Sequence, residues 1–482
     1  MKRYTTPILL LAILLSMLPL TGCGQQEKTQ VILVSIDTLR ADHVTSYGYN
    51  RDTSPNLSRL IEESVYYTQA YANGCWTMPS HMSLLTGTLP SRHGVNRDIG
   101  LFTKRKYPRL HDTLQTISEI LKSALPGLKT VKFAKLSGEL GFARGFDSDN
   151  TIDPFSSNKH FDLLLNELEN LKNKDFFLFL HTWMAHAPYT HSHYLEGEKI
   201  DDVQRNLIDN YRNLNKKERK EIFGKDENAR GGDFPYLLRK NKLFNAGDCR
   251  ALYDGGIRYV DGYMGKLLEK ARELGIFDRL MIIVVSDHGE HFEEHVQHMF
   301  YDYHGHDYYE EFIKVPIIIK YPHGKSKGKR LNAPVSLIDV VPTILDYYNI
   351  KIPAHIQGDS LLIPHAKRKQ KFLVSEAVTD PGIELKMIRV GNLKYIVTMK
   401  DSSKPGRADW ENITERRLYD LKTDPGEKEN LYKHPDFKET CLHLEKLLKT
   451  VLTHSAEPFG PSREAVVSEE TLEQLRALGY IN

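Results

Sequence analysis

Val31-Ile32-Leu33-Val34-Ser35-Ile36, ending on Asp37, decides the fold class. A nearly continuous apolar run rich in β-branched residues fits a strand buried on both faces, as in a parallel sheet. Phe176-Phe177-Leu178-Phe179-Leu180 repeats the pattern and ends at His181. Leu280-Met281-Ile282-Ile283-Val284-Val285-Ser286 repeats it again and ends at Asp287 and His288, and Ile313 to Tyr321 is a fourth run. Between them lie amphipathic segments at Ser54 to Ser64, Leu110 to Ser123, Phe161 to Leu171 and Asp261 to Leu274. This alternation predicts an α/β fold, a large mixed but mostly parallel sheet flanked by helices. Ligands of such sheets sit outside the carboxyl ends of the strands. Asp37, His181 and the Asp287-His288 pair all fall at that edge.

A second stretch, Ala72-Asn73-Gly74-Cys75-Trp76-Thr77-Met78-Pro79-Ser80-His81 followed by Met82 to Gly87, reads as a loop entering a helix that stops on glycine. Thr77 is expected at the N-cap, where a hydroxyl and unpaired backbone N–H groups suit an anionic group such as phosphate or sulfate. Together with Asp37, Asp287 and His288 it forms a set of hard oxygen donors plus one imidazole. Such a set suits one divalent cation, with calcium, magnesium, manganese and zinc all open. The ion would lower the pKa of the Thr77 hydroxyl and help neutralise the oxygens of a tetrahedral anion.

A formal net charge of +2 in 482 residues points to no nucleic-acid partner, so any anion recognition is local. Lys2 and Arg3, then the apolar stretch from Ile8 to Leu20, read as an export signal over residues 1–22. Leu20-Thr21-Gly22-Cys23 resembles a bacterial lipobox, which makes Cys23 the expected lipidation site and residues 23–30 a tether to a membrane. A cell-envelope lipoprotein, at the outer membrane or the cell surface, is the localisation this implies. Cys75, Cys249 and Cys441 fit neither a zinc ribbon nor a dense disulfide framework, and leave one disulfide or three thiols open. Residues 195–250 form a charged insertion, Asn- and Lys-rich, in what is otherwise a catalytic domain over residues 31–370. From residue 371 to 482 shorter runs, Met387 to Val390 and Tyr395 to Thr398, predict a smaller C-terminal α+β subdomain. Its antiparallel sheet would be followed by a helix from about Pro435 to Leu452.

The motifs in order carry a resemblance. Val34-Ser35-Ile36-Asp37-Thr38-Leu39-Arg40-Ala41-Asp42 with Tyr47-Gly48-Tyr49 comes first, and then Pro79-Ser80-His81 with Leu85-Thr86-Gly87 and His93-Gly94. Ser286-Asp287-His288-Gly289-Glu290, Val315-Pro316, Ser336 to Thr343, Gln357 to Leu361 and Leu418-Tyr419-Asp420-Leu421 follow. The series, over about residues 30 to 435, resembles the sulfatase family of the alkaline-phosphatase superfamily. The resemblance implies an alkaline-phosphatase-like fold and a metal-dependent hydrolase of sulfate or phosphate esters, with Thr77 as nucleophile and Asp37, Thr77, Asp287 and His288 around the metal. It also implies His186 as a contact to the substrate anion or its leaving oxygen, His304 as an anion contact or acid, and His81, Lys135 and His306 as substrate-binding residues. His181, His191 and His193 are left as surface residues or as partners behind the ligands.

Two departures bear on the chemistry. Thr38 stands where the family often has a second Asp. Thr77 stands where sulfatases have a Cys or Ser that is oxidised to formylglycine, and the extra methyl of threonine would give a ketone instead of an aldehyde. An unmodified Thr nucleophile resembles the related phosphotransferases and phosphodiesterases, so a phosphoester is favoured on mechanistic grounds. The substrate expected is an anionic ester, on a glycan or a lipid headgroup. The alternatives are a phosphoryl-group transferase of the phosphoethanolamine type and a non-catalytic anchored binding protein on the same scaffold.

Overall fold

The computed structural model describes residues 28–96, 106–150, 157–187, 189–195, 217, 245–292, 294–295, 307–369, 371–379, 383–400, 410–456, 463–466 and 468. The leader at 1–22, Cys23, His304, His306, most of the tether and most of the 195–250 insertion lie outside the described residues. Among the described residues no helix is long and apolar enough to cross a membrane.

The strands are β1 (Gln30–Ile36), β2 (Val65–Tyr71), β3 (Lys106–Arg109), β4 (Lys129–Phe133), β5 (Ser148–Asn150), β6 (Phe176–Thr182), β7 (Met281–Val285), β8 (Ile317–Lys320) and β9 (Lys329–Ser336). All but β3 join one eight-stranded sheet in the order β5-β4-β6-β1-β7-β8-β2-β9. β8 is antiparallel to both β7 and β2, and every other neighbouring pair is parallel. The sheet is thus mixed and mostly parallel, as the apolar runs predict.

Burial on both faces follows from the period of two along each strand. Val31 and Leu33 of β1 face one layer with Phe177, Phe179 and Ile283. That layer holds α2 (Thr77–Thr86), α4 (Ile117–Ala124) and α8 (Val340–Tyr347), through residues such as Leu84, Ile120 and Ile344. Ile32, Val34 and Ile36 face the other layer with Leu178, Leu180 and Ile282. There α1 (Pro55–Glu62), α5 (Ser157–Leu171) and α6 (Ala246–Glu273) cover the sheet. Each of these fully buried aliphatic side chains stabilises the fold by about 1.5–3 kcal/mol relative to exposure.

Three expectations change in detail. The run Ile313 to Tyr321 divides into the short helix α7 (Glu310–Ile313) and β8, with Pro316, which has no N–H to give, immediately before the strand. The helix expected from Asp261 starts fifteen residues earlier, at Ala246, with a capping box between Asn245 and Asp248. Gly255 and Gly256 lie inside it, where glycine is ordinarily costly. A Cβ on Gly255 would stand 1.9 Å from the carbonyl oxygen of His191, and one on Gly256 2.9 Å from that of Met184. The pair therefore lets the segment after β6 lie directly on α6. The last helix, α9 (Lys438–Ala456), begins after two short 3-10 turns instead of at Pro435.

The C-terminal sheet is antiparallel, β10 (Phe372–Thr379), β11 (Ile383–Val390), β12 (Leu393–Lys400) and β13 (Ile413–Asp420) in that order. A final strand, β14 (Arg463–Val466), pairs with β3. One face of the four-stranded sheet packs Ile388, Tyr395 and Val397 against Cys441, Leu444 and Leu448 of α9. The other face gives Leu385, Met387 and Ile396 to the core of the main sheet. Lys394, fully buried, closes the junction through Glu427 at 2.7 Å and Glu310 at 3.1 Å. The helix α3 (Pro90–His93) lies between α2 and this subdomain and packs against α9.

Candidate active site

Three parallel strands end side by side at one edge. In the register, Ser35 of β1 pairs with His181 of β6 and with Val285 of β7. Two residues further on stand Asp37 and Asp287, and His288 follows. The turn after β1 is unusual: Thr38, a β-branched residue, has φ 58°. Such a backbone costs about 1–3 kcal/mol and persists where the surroundings hold it. Tyr253 does the holding, accepting from Arg40 N–H at 2.9 Å and donating to Thr38 O at 2.7 Å. The turn aims Thr38 N–H at Asp287 Oδ1, 3.3 Å away. Gly289 completes the edge, because a Cβ there would meet Glu311 O at 1.8 Å.

The fourth contributor is the start of α2. Trp76, extended at φ −156° and ψ 169°, is its N-cap and makes no side-chain cap bond. Thr77 is therefore the first helical residue, one position later than the sequence suggests, and its hydroxyl is released from capping. Gly87 closes the helix in the left-handed conformation at φ 66°, as expected. The preceding loop is compact. Ser80 donates to Gly74 O at 2.9 Å, and Asn73 Nδ2 donates to Val374 O at 2.9 Å.

Thr77 Oγ1 lies 3.2 Å from His288 Nε2. The same nitrogen is 3.5 Å from Asp37 Oδ1 and 3.4 Å from Asp287 Oδ2. His288 Nδ1 faces the Gly289 carbonyl at 2.9 Å, so Nδ1 carries a proton and Nε2 is the nitrogen turned to the hydroxyl and the two carboxylates. Lone-pair atoms from two carboxylates, an imidazole and a hydroxyl thus converge in a fully buried place, and Asp287 Oδ2 makes no hydrogen bond among the described residues. Burial, and after it the charge of Asp37, holds the Asp287 carboxyl well above the usual carboxylate range. A cation between the two carboxylates would relieve that repulsion. Asp37, Asp287 and His288 each present one donor atom within 4.8 Å of the others, which fits a divalent ion.

The fold profile named sulfatase matches residues 29–350, well over half of the chain. The chain belongs to the sulfatase family. A second profile, N-sulphoglucosamine sulphohydrolase C-terminal, matches residues 296–454. N-acetylglucosamine-6-O-sulfatase of Bacteroides thetaiotaomicron is 23% identical over 522 aligned residues, covering 90% of this chain and 89% of the relative. A solved 2-O GAG sulfatase superposes with a TM-score of 0.68 at 19% identity, over 90% of this chain and 94% of that one. The phosphonate monoester hydrolase of Agrobacterium radiobacter gives 0.63 at 16% identity, over 89% and 96%. The structural likenesses establish the alkaline-phosphatase-like fold, and with the family membership they mark the protein as a sulfatase-like ester hydrolase. Sulfatases generally bind a divalent metal, and the converging donors are where this one would hold it.

His81 is inside this centre. Its Nδ1 donates to Thr77 O at 2.9 Å and passes 3.3 Å from Asp287 Oδ2, while Nε2 meets the Ser35 hydroxyl at 2.9 Å. Burial, and then His181, keeps its pKa well below the ordinary imidazole value. His181, which the sequence leaves at the surface or behind the ligands, is fully buried, its Nε2 2.9 Å from Asp37 Oδ2. Its position near the carboxyl end of β6, paired with Ser35 two residues before Asp37, is the signal that marks it. His186 and Lys135 sit on the same edge, after β6 and β4, and both are buried. His186 Nδ1 donates to Ala187 O at 2.6 Å and the ring packs on Trp183 with centroids 4.6 Å apart. Glu290 and Glu294 serve the surrounding structure: Tyr189 donates to Glu290 at 2.7 Å and Arg40 pairs with Glu294 at 2.7 Å. Cys75, Cys249 and Cys441 are buried and form no disulfide.

Proposed function

We propose that the protein hydrolyses an ester of a phosphate or sulfate group carried by an acidic glycan or lipid headgroup, with unmodified Thr77 as nucleophile and a phosphoester as the better chemical match. The observation that carries this reading is the Thr77 hydroxyl at the start of α2, 3.2 Å from His288 Nε2 and beside two buried carboxylates. A glycan is favoured over a lipid by the relative that acts as an N-acetylglucosamine-6-O-sulfatase.

In the reading proposed, Thr77 Oγ loses its proton to solvent and attacks the phosphorus in line, and an Oγ–P bond forms as the bond to the leaving oxygen breaks. His186, or His304, would give that oxygen its proton. Water then attacks the phosphorus and gives a proton back to that histidine, the Oγ–P bond breaks, Thr77 Oγ takes a proton from solvent, and the inorganic anion leaves with the hydroxyl restored. A divalent ion held by Asp37, Asp287 and His288 supplies positive charge for the anion oxygens when bound. The protein's own share is positional: α2 fixes the hydroxyl, and the N–H groups of Thr77 and Met78 at its start would face the oxygens, Pro79 having none to give. The experiment is a panel of an aryl sulfate, a phosphomonoester and a phosphodiester assayed with the full chain. Mass spectrometry of the Thr77 peptide after brief exposure accompanies it. A mass increase of one phosphoryl group on unmodified threonine supports the reading; an oxidised residue at position 77, or turnover with no dependence on Thr77, sinks it.

The proposal places the enzyme in the cell envelope, anchored through a lipid on Cys23. Cys23→Ser is expected to move the protein from the membrane to the soluble fraction, and unchanged partitioning would remove the anchor from the reading.

A further inference from the structure

A separate cavity lies where the edge of the main sheet meets the C-terminal sheet. It measures about 340 Å³, and its described lining includes none of Asp37, Thr77, Asp287 and His288. Gln69 of β2, Asn332 of β9 and Lys314, which follows α7, line it from the main sheet. Lys371, just before β10, and Arg389 of β11 line it from the C-terminal side. In the order of the sheet β2 is three strands from β1, about 14 Å at the ordinary spacing.

The lining is cationic. Among its described residues Lys314, Lys371 and Arg389 stand against one carboxylate, Glu310, which is already held by Lys394 at 3.1 Å and by Lys314 at 3.3 Å. Arg389 is buried and gives its hydrogen bonds to neutral acceptors. Its Nε reaches Gly391 O at 2.9 Å, and its Nη1 reaches Gln69 Oε1 at 2.9 Å and the Tyr71 hydroxyl. Lys371 Nζ likewise donates to a carbonyl, His365 O, at 2.5 Å. Bonds of this kind fix a cation in place and leave its charge.

A narrower space of about 20 Å³ shares His365, Lys371 and Arg389 with the cavity and adds Arg368. That residue is only 7% exposed; its Nε donates to Ile363 O at 3.1 Å, and its buried Nη1 makes no hydrogen bond among the described residues. The acids of the inner space are Asp359 and Asp339, whose oxygens take Ser336 N–H and Asp359 N–H at 2.9 Å each. Burial, and then the charges of Arg368 and Lys371, hold the His365 imidazole below its ordinary value.

The neutral groups point the same way. Gln69 Oε1 takes Arg389 and Asn332 Oδ1 takes the Thr68 hydroxyl at 2.7 Å, so each amide has its acceptor engaged and its NH2 to offer. Guanidinium, ammonium and amide N–H groups around one space are a donor set for a tetrahedral oxyanion.

We propose that this cavity binds a phosphate or sulfate group at a site separate from the hydrolytic centre, and that the bound group ties the C-terminal sheet to the edge of the main sheet. The inference does not depend on the hydrolase reading. Inorganic phosphate, inorganic sulfate and the same group on a sugar share the chemistry that the donors recognise. An anion touching Lys314 or the two amides on one side and Lys371 or Arg389 on the other bridges the two sheets, and its binding stabilises their docking.

The experiment uses the full chain carrying Thr77→Ala and stripped of ions with a chelator, which disables the strand-end centre. Equilibrium dialysis against labelled inorganic phosphate, at fixed ionic strength, is expected to show about one phosphate per chain and a saturable rise in melting temperature of about 2 °C or more. Lys371→Glu and Asn332→Asp, both at exposed positions, are each expected to weaken binding by about tenfold or more and to remove the rise, and Lys371→Arg to keep both. Lys367→Glu, an equal change of charge at an exposed residue outside the lining, is expected to leave them as they were. Melting temperatures without phosphate report that each variant is folded. Inorganic sulfate is expected to displace the label. Glucose 6-phosphate separates the sources: displacement extends the site to a group carried on a sugar, and no displacement restricts it to the free anion. No phosphate bound by the stripped protein, a label that sulfate does not displace, binding unchanged in Lys371→Glu, or an equal loss in Lys367→Glu would overturn the proposal. Phosphate held in this way by a protein that turns over no ester would support it and remove the hydrolase reading alone.

Discussion

Thr77→Ala is expected to lower kcat by about a thousandfold or more, because removal of a nucleophile leaves only binding and charge stabilisation to act on the ester. The residue is fully buried at the first position of α2, and its backbone carbonyl receives His81 Nδ1–H at 2.9 Å. Alanine keeps that carbonyl and the helix start, so the folded state changes little beyond the loss of one small side chain. Thr77→Ser keeps the hydroxyl and is expected to stay within about tenfold of wild type, the cost being looser rotamer control once the methyl is gone. The two variants side by side, with steady-state kinetics on one substrate and a melting temperature for each, separate a lost nucleophile from a lost fold. Alanine at wild-type turnover would move the nucleophile elsewhere.

Stripping the ion is expected to bring turnover to background, and to do something more specific to stability. Asp287 is buried beside Asp37, and burial first and that neighbour second raise its pKa well above the ordinary value. A carboxyl whose folded pKa exceeds its unfolded pKa keeps a proton in the folded chain that the unfolded chain gives up. Its contribution is fully present below the usual carboxylate range and drains as the pH rises toward the raised value, at about 1.4 kcal/mol per pH unit. The ion-loaded protein is spared, because the cation replaces the proton. The gap in melting temperature between loaded and stripped protein should therefore widen from about pH 5 to about pH 7. Taking the gap cancels the buried histidines His81 and His181, which are common to both forms. Asp287→Asn, which carries no charge to repel Asp37, should flatten the slope in the stripped protein. A gap that stays constant or narrows with pH would show that Asp37 and Asp287 do not share the buried charge as described.

The elements that were legible are those whose residues answer to one rule. β1, β6 and β7 are buried on both faces, so their sequences are apolar throughout and announce a parallel sheet. β2, Val65–Tyr71, carries Thr68 and Gln69 on a partly exposed face beside the edge strand β9, and its pattern does not stand out. The direction of β8 is set by a connection through α7, which periodicity does not encode. Gly255 and Gly256 read as interruptions, yet they sit inside a 28-residue helix because another segment needs the room. In the site, Asp37, Asp287 and His288 follow directly from the strand ends. Trp183 has no such mark, for its role is visible only once the indole N–H is seen to fix the tautomer of His181.

The bond from Asn73 Nδ2 to Val374 joins residues 301 positions apart, and the backbone of Glu376 also donates to Asn73 O at 3.0 Å. Ile338 N–H reaches Asn73 Oδ1 at 3.2 Å from a third part of the chain. The loop that leads into Thr77 is therefore moored by segments that come long after it in the chain. Contacts of such long sequence separation pay their loop-closure entropy late and slow folding. The Thr77 hydroxyl is therefore in its place only in a chain whose β10 has docked, so the site and the C-terminal sheet depend on each other for their geometry.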